Sequence, residues 1–309
     1  MSRARSQGAR RLAACVLALL AGAGAAGCGG EADPPAAAPE RSSRLVDLSQ
    51  KEPRVNAFDV DPADGAFLLT TNRGFWRIDR RTGKARRVQG TMTAGDGKAP
   101  VGRFLDLTVT GPGELLGSGH PDGGTGLPSF LGLIRSGDGG RTWSSVSRLG
   151  DADLHKLIVK HDRLYAFDAV LGAMLISDDG GRTFREEFTP RGLITDFEVD
   201  PAEPDVLLAA TEDRLFRSQD GGKAWRPAAT APGIRVAWPA PERLYRADAD
   251  GTVQRSADGG RTWEEAGTVP GTPAQFEAVS ADELYLALGD VEIVHTTDAG
   301  ATWRSVFTP

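Results

Sequence analysis

Six polar side chains recur at one place in a repeating sequence, and their types limit the chemistry available to the chain. His155, Thr195, Arg235 and Gln275 follow one another at intervals of 40 residues, and Asn56 and Asp106 take the matching place in two earlier repeats. Two residues further on, Phe58, Leu157 and Phe197 are apolar. A ring of such donors and acceptors is either a pocket for a polar ligand or the wetted mouth of a channel. His120 is expected beside His155. Two imidazoles joined by Asp106, Asp122 or Asp153 would have the donor set for a metal, with His120, His155 and Asp122 as the candidate ligands. A carboxylate pair for glycoside hydrolysis could be drawn from Asp106, Asp153, Asp196 and Glu277. No cofactor is expected. His161 and His295 fall elsewhere in the repeat and read as structural.

The elements that must hold these residues are set by a second, stronger repeat. Ser136-Gly-Asp138-Gly-Gly140-Arg-Thr142-Trp143 returns around Asp179, Asp220, Asp258 and Asp298, with the aspartates 41, 41, 38 and 40 residues apart. Asp and Ser side chains bond nearby backbone groups and fix a tight turn, glycine permits positive φ, and the aromatic residue anchors the next strand. These aspartates therefore read as hairpin staples. Around each turn lie further strand signals, as in Asp196–Val199, Val206–Ala210, Leu215–Ser218 and Ala224–Pro227. Four short strands per period of about 40 residues is the pattern of a propeller blade.

The expected fold is all-β: a six-bladed β-propeller of four antiparallel strands per blade. The stapled turns join third and fourth strands, and units begin near Val55, Leu105, Leu154, Ile194, Ile234 and Ala274. The tract Arg44–Leu48 is expected to add an outer strand or to be the remnant of a seventh blade. The first unit keeps a turn at Ile78–Gly83 but little of the motif. Insertions at 89–102 and 120–130 fall on the face opposite the stapled turns, where a binding site is expected.

The repeated motif resembles the Asp-box, or BNR, repeat of sialidases, sortilin-type receptors and photosystem-assembly propellers, over residues 54–309. The stretches Val60–Gly65, Gly117–Asp122, Leu131–Ser136 and Asp151–His155 resemble a group of bacterial lipoproteins described as glycosyl-hydrolase- or sialidase-like. The resemblance implies a propeller whose boxes lie away from the active face. The sialidase Arg-Ile-Pro motif is missing. The tyrosines Tyr165, Tyr245 and Tyr285 share one second-strand position, which suits packing rather than a nucleophile.

The chain opens with Arg3, Arg5, Arg10 and Arg11, then an apolar run from Leu12 to Leu20, too short for a bilayer span of about 20 residues. Small residues follow, and the segment reads as a secretion signal. Ala25-Ala26-Gly27-Cys28 resembles a bacterial lipobox, which implies diacylglyceryl transfer to Cys28; the alternative is an ordinary leader cut near Ala26. Residues 1–27 are the expected lipoprotein signal, 28–43 the lipidated cysteine and a flexible Ala/Pro-rich tether, and 44–309 one propeller domain. Cys15 and Cys28 are the two cysteines, so no disulfide is expected in the mature chain.

The formal charge is −6, and the four leader arginines make the remainder more acidic still. That balance does not suit nucleic acid. There is no zinc-spaced Cys/His cluster, P-loop or Rossmann fingerprint. The function expected is a monomeric binding or scaffold module for a glycan, peptide or protein. It would sit on the outer side of the bacterial cytoplasmic membrane, held there by its lipid. The alternative is a glycoside hydrolase acting on an extracytoplasmic sugar.

Overall fold

A computed structural model describes residues 53–94, 97–229 and 235–309. The leader, Cys28, the tether and the tract 44–48 lie outside the described residues. Those that are described form strands and turns, with no helix among them.

Five antiparallel sheets of four consecutive strands are the blades. The first holds β1 (Val55–Val60), β2 (Phe67–Thr71), β3 (Gly74–Ile78) and β4 (Ala85–Val88). Between it and the second blade lies a closed unit: β5 (Gly90–Ala94), β6 (Gly97–Gly111), β7 (Glu114–Pro121), β8 (Leu133–Ser136) and β9 (Thr142–Ser147). The second blade is β10 (Leu154–Lys160), β11 (Arg163–Asp168), β12 (Ala173–Ser177) and β13 (Arg185–Glu187). The third is β14 (Ile194–Val199), β15 (Leu207–Thr211), β16 (Leu215–Ser218) and β17 (Arg226–Ala229). The fourth is β18 (Arg235–Ala240), β19 (Arg243–Ala247), β20 (Thr252–Ser256) and β21 (Glu264–Thr268). The fifth is β22 (Pro273–Ala278), β23 (Leu284–Leu288), β24 (Ile293–Thr296) and β25 (Arg304–Phe307).

The expectation of six like blades, or seven, is thus corrected to five plus one unit of different make. The cause is the insertion at 89–102, which is not a loop. It forms β5 and the first half of β6, and β5 then pairs in parallel with β9 through Thr91–Thr142 and Met92–Trp143. Gly90 makes this closure possible. A Cβ there would lie 2.8 Å from the Trp143 indole nitrogen and from the Val101 carbonyl oxygen.

The innermost strands β1, β6, β10, β14, β18 and β22 pack in that cyclic order around an axis, with β22 against β1. Each apolar cluster is shared by two neighbouring units. Val55, Phe58, Phe67, Leu69 and Ile78 of the first blade, for example, pack with Tyr285, Ala287, Val291 and Ile293 of the fifth. Tyr165 and Tyr245 are fully buried, and their hydroxyls donate to Pro204 O at 2.8 Å and Ala281 O at 2.7 Å in the next blade. These are packing roles.

The Ser/Thr-x-Asp turns connect third and fourth strands and are held as hydrogen-bonded staples. Asp138 Oδ1 accepts from the amides of Arg141 and Thr142 at 2.9 Å, and its Oδ2 accepts from the Thr142 hydroxyl at 2.6 Å. Ser136 Oγ accepts from the Gly140 amide at 2.9 Å and donates to Asp138. The same pattern recurs at Asp179, Asp258 and Asp298, and at Asp220 with Ala224 in place of threonine. Amides of three of these turns donate to the turns between first and second strands: Gly139 to Gly113 O, Gly221 to Asp205 O and Ala299 to Asp282 O. Both sets of turns therefore occupy one face of the molecule, here called the staple face.

Candidate functional site: the axial channel

The strand pairing defines which inner-strand residues are equivalent. Ala57, Asp106, Lys156, Asp196, Arg235 and Gln275 each lie opposite the same place in a second strand: Thr70, Ser118, Phe167, Ala210, Ala247 and Ala287. In five of these strands one extra, bulged residue precedes that place: Asn56, Leu105, His155, Thr195 and Ala274. The fourth blade has no bulge there. The ring read from the 40-residue period therefore mixes two positions. Asp106, Arg235 and Gln275 hold the register place, whereas Asn56, His155 and Thr195 are bulge residues one place earlier. A one-residue offset turns a side chain to the other face, and a bulge hides that offset from a sequence count.

Most of these groups tie the inner strands together. Asn56 Nδ2 donates to Phe104 O at 3.0 Å, and Gln275 Nε2 donates to Asn56 O. Arg235 donates to Thr195 O at 2.8 Å and to Ala274 O. Asp106 accepts from the Leu157 amide, and Asp196 accepts from the Val236 amide at 3.0 Å. Thr195 Oγ1 is buried and has no hydrogen-bond partner. His120 and His155 do meet, across Asp153. His155 Nε2 is 3.0 Å from Asp153 Oδ2, and His120 Nε2 is 3.8 Å from Asp153 Oδ1. His120 Nδ1 lies 2.8 Å from Ser129 O, which makes it the donor to that carbonyl. Each imidazole thus faces a different oxygen of one carboxylate. Among the described residues no group of three or more His, Cys, Asp or Glu side chains is arranged to hold a metal ion. Asp122 is not brought into contact with the two histidines. His161 bonds Asp200 O at 2.8 Å, and His295 is buried, stacked on Tyr285 at 4.3 Å.

Charge gathers at the opposite end of the channel. Asp59 (β1), Lys156 and Lys160 (β10), Glu198 (β14) and Glu277 (β22) line a cavity of about 320 Å³, together with Thr108, Val109 and Ser280. These residues lie in the second halves of the inner strands, so the cavity opens on the staple face. Lys156 Nζ is 3.0 Å from Asp196 Oδ1. Lys160 Nζ is 3.0 Å from Glu198 and donates to Val199 O at 2.8 Å and Trp238 O at 3.1 Å. The Asp59 carboxylate accepts from the Val109 amide at 2.7 Å.

Two lysines cannot neutralise every carboxylate here. Desolvation raises Asp59 to about 6, against bonds from the Val109 and Val60 amides. It raises Asp106 to about 7, with Lys156 opposing. Glu277 is pushed well above the usual carboxylate range, first by desolvation and then by Asp59. Desolvation alone would lower Lys156; Asp196, Asp106 and Glu198 outweigh it and hold the ammonium charged. Chemically, the cavity can hold a cation, exchange protons near neutral pH, or donate from a protonated carboxyl. Of its charged lining, Glu277 alone was chosen from the sequence. Asp59, Lys156, Lys160 and Glu198 were missed. Their signal is a polar residue at alternate places on an inner strand, visible only once the bulge is counted.

No family model matches the chain. A curated relative, the dispase autolysis-inducing protein of Streptomyces mobaraensis, is 32% identical over 108 residues. The match takes in 34% of this chain and only 28% of that protein. Solved structures show the likeness in fold. YCF48 from Cyanidioschyzon merolae has a TM-score of 0.50 at 15% identity, covering 83% of this chain and 85% of its own. YCF48 bound to D1 peptide has a TM-score of 0.54 at 13% identity, covering 80% and 94%. The extracellular domain of the one-component system BT4673 from B. thetaiotaomicron has a TM-score of 0.51 at 11% identity, covering 81% of this chain and 39% of that one.

Proposed function

We propose that this chain is an extracytoplasmic binding module, held to the outer side of a bacterial cytoplasmic membrane by lipid on Cys28. In this reading residues 1–27 are a lipoprotein signal and 28–43 a tether, and the Ser/Thr-x-Asp turns are Asp boxes. The ligand is a peptide or protein segment that places a basic side chain in the axial cavity. The observation that carries this reading is the cavity itself, where carboxylates exceed ammonium groups and Val159 and Val279 stand exposed among the lining residues. An apolar rim around a few convergent charged groups suits a segment that enters end-on or as a loop. The likeness to a propeller solved with a bound peptide is in keeping with it.

The test is selection from a peptide library by the mature chain. Basic peptides should be enriched, and both Glu198→Gln and Glu277→Gln should lose them while His155→Ala retains them. Enrichment that ignores both carboxamide variants would sink the cavity as the site. One observation favours a second reading, glycoside hydrolysis: Glu277 has the raised proton affinity of a general acid and stands beside a second carboxyl, Asp59, in the place of the base. Turnover of a glycoside that Glu277→Gln abolishes would establish it in place of simple binding.

A further inference from the structure

The two faces of the molecule differ in their apolar exposure. Leu149, Val170, Leu171, Phe188 and Leu193 are exposed, Phe188 at 74% and Leu193 at 60%. All five lie in connections on the face opposite the staples. Val170 and Leu171 form the turn between β11 and β12, Phe188 and Leu193 bound the link from β13 to β14, and Leu149 lies between β9 and β10. The stretches bearing four of them are joined: the Thr189 hydroxyl donates to Gly172 O at 3.0 Å. The Trp225 indole donates to Phe188 O at 2.8 Å and braces the base of the projecting residue. Arg191 stands exposed between Phe188 and Leu193. Monomeric surfaces scatter apolar residues singly, but four on two joined loops form a patch that asks for a partner.

The chain also enters the propeller on this face. The Arg54 amide donates to Asn72 Oδ1 at 2.9 Å, and the Asn72 amide donates to Arg54 O at 3.1 Å. Asn72 is the turn between β2 and β3, on the same side as the Val170–Leu171 turn. The first described residues of the propeller therefore lie on the same face as the apolar residues. Roughly 25 residues separate Cys28 from Pro53, so their full extension is at most about 90 Å.

We infer that this face docks on the lipid surface, with Val170, Leu171, Phe188 and Leu193 entering the interface and Arg191 reaching the headgroup phosphates. A diacylglyceryl group brings two acyl chains and holds by itself, so the contribution of the apolar patch is to fix the orientation of the tethered module, with the Arg191 stem lying along the interface and its charge in the headgroups. The docked molecule directs its axial cavity away from the membrane. The inference rests on the lipid-anchored reading, yet it can be tested apart from it.

The mature chain, residues 28–309, is coupled through Cys28 to a maleimide phospholipid in phosphatidylcholine vesicles, and its amide hydrogen exchange is compared with the uncoupled chain. Coupling should slow exchange at residues 169–172 and 188–193 by about tenfold or more and leave residues 219–223 on the staple face unchanged. Phe188→Ser with Leu193→Ser should remove the slowing. Both substitutions are at exposed sites, and an unchanged melting temperature confirms the fold. Equal exchange in coupled and free protein, or protection that survives the double substitution, overturns the docking. Whether the cell acylates Cys28 is read separately, from the mass of the mature chain.

Discussion

At the residue scale, the molecule places several carboxyls where they cannot all be charged. Asp106 binds its proton more tightly folded than unfolded, with a folded value of about 7. Its contribution to stability is therefore full below its unfolded value near 4 and is lost as pH rises through about 7. Asp59, raised to about 6, and Glu277 act in the same direction. Asp106→Asn keeps an oxygen to accept from the Leu157 amide but carries no charge. Denaturant titrations at pH 5 and pH 8 should show it gaining stability relative to wild type at pH 8; an equal offset at both values would refute the assignment. The staple aspartates have the opposite sign. Hydrogen bonds from Thr296 and Thr302 hold Asp298 at about 2, and bonds from Thr142 hold Asp138 at about 2 despite desolvation. Their contribution is present above the unfolded value and is lost as pH falls toward 2. Lys156 is the countercharge to Asp106 and Asp196. Lys156→Met leaves buried carboxylates unpaired and should cost about 3–5 kcal/mol, more at pH 8 than at pH 5, by the same titrations.

At the scale of elements, the stapled hairpins were legible because their mechanism is local. Ser, Asp, Gly and Thr at fixed offsets satisfy one another within eight residues. What surrounds them is less uniform than the motif suggests. Trp143 is 4% exposed and packs on Phe104 at 4.8 Å, whereas Trp225, Trp263 and Trp303 are partly open. Trp143→Ala should therefore cost about 3–5 kcal/mol in thermal or denaturant unfolding, and Trp263→Ala less. Gly140 has φ of 85°, and a Cβ there would lie 2.4 Å from the Phe75 ring. Asp220→Ala should lower the melting temperature while peptide selection persists; a folded protein that had lost selection would make Asp220 part of the site. Two features escaped the sequence for definite reasons. A bulge adds a residue with no local signature, so Lys156 was passed over for His155. The parallel pairing of β5 with β9 joins segments about 50 residues apart, and no periodicity within 89–102 announces it.

At the scale of the whole molecule, the repeat correctly implied a propeller, while the number of regular blades did not follow from it. The closed unit differs because its pairing partner is remote. Anchoring belongs to this scale. Cys28→Ala should release the protein from membranes or block its processing, read by fractionation and mature mass; unchanged results in both would remove the lipid from the account. The ring itself has one further property. Among the described residues every blade is made of consecutive strands, so no sheet spans the junction of the fifth and first blades. That junction is held by Phe58, Phe67 and Tyr285 with ring centroids 5.4–6.2 Å apart, by Gln275 on Asn56 O, and by Arg80 on Glu283 at 3.1 Å. A bracelet without a clasp parts where its ends meet. Pulled, or warmed toward unfolding, this one should gape first beside Tyr285, and engineered cysteines joining β1 to β22 would supply the missing clasp.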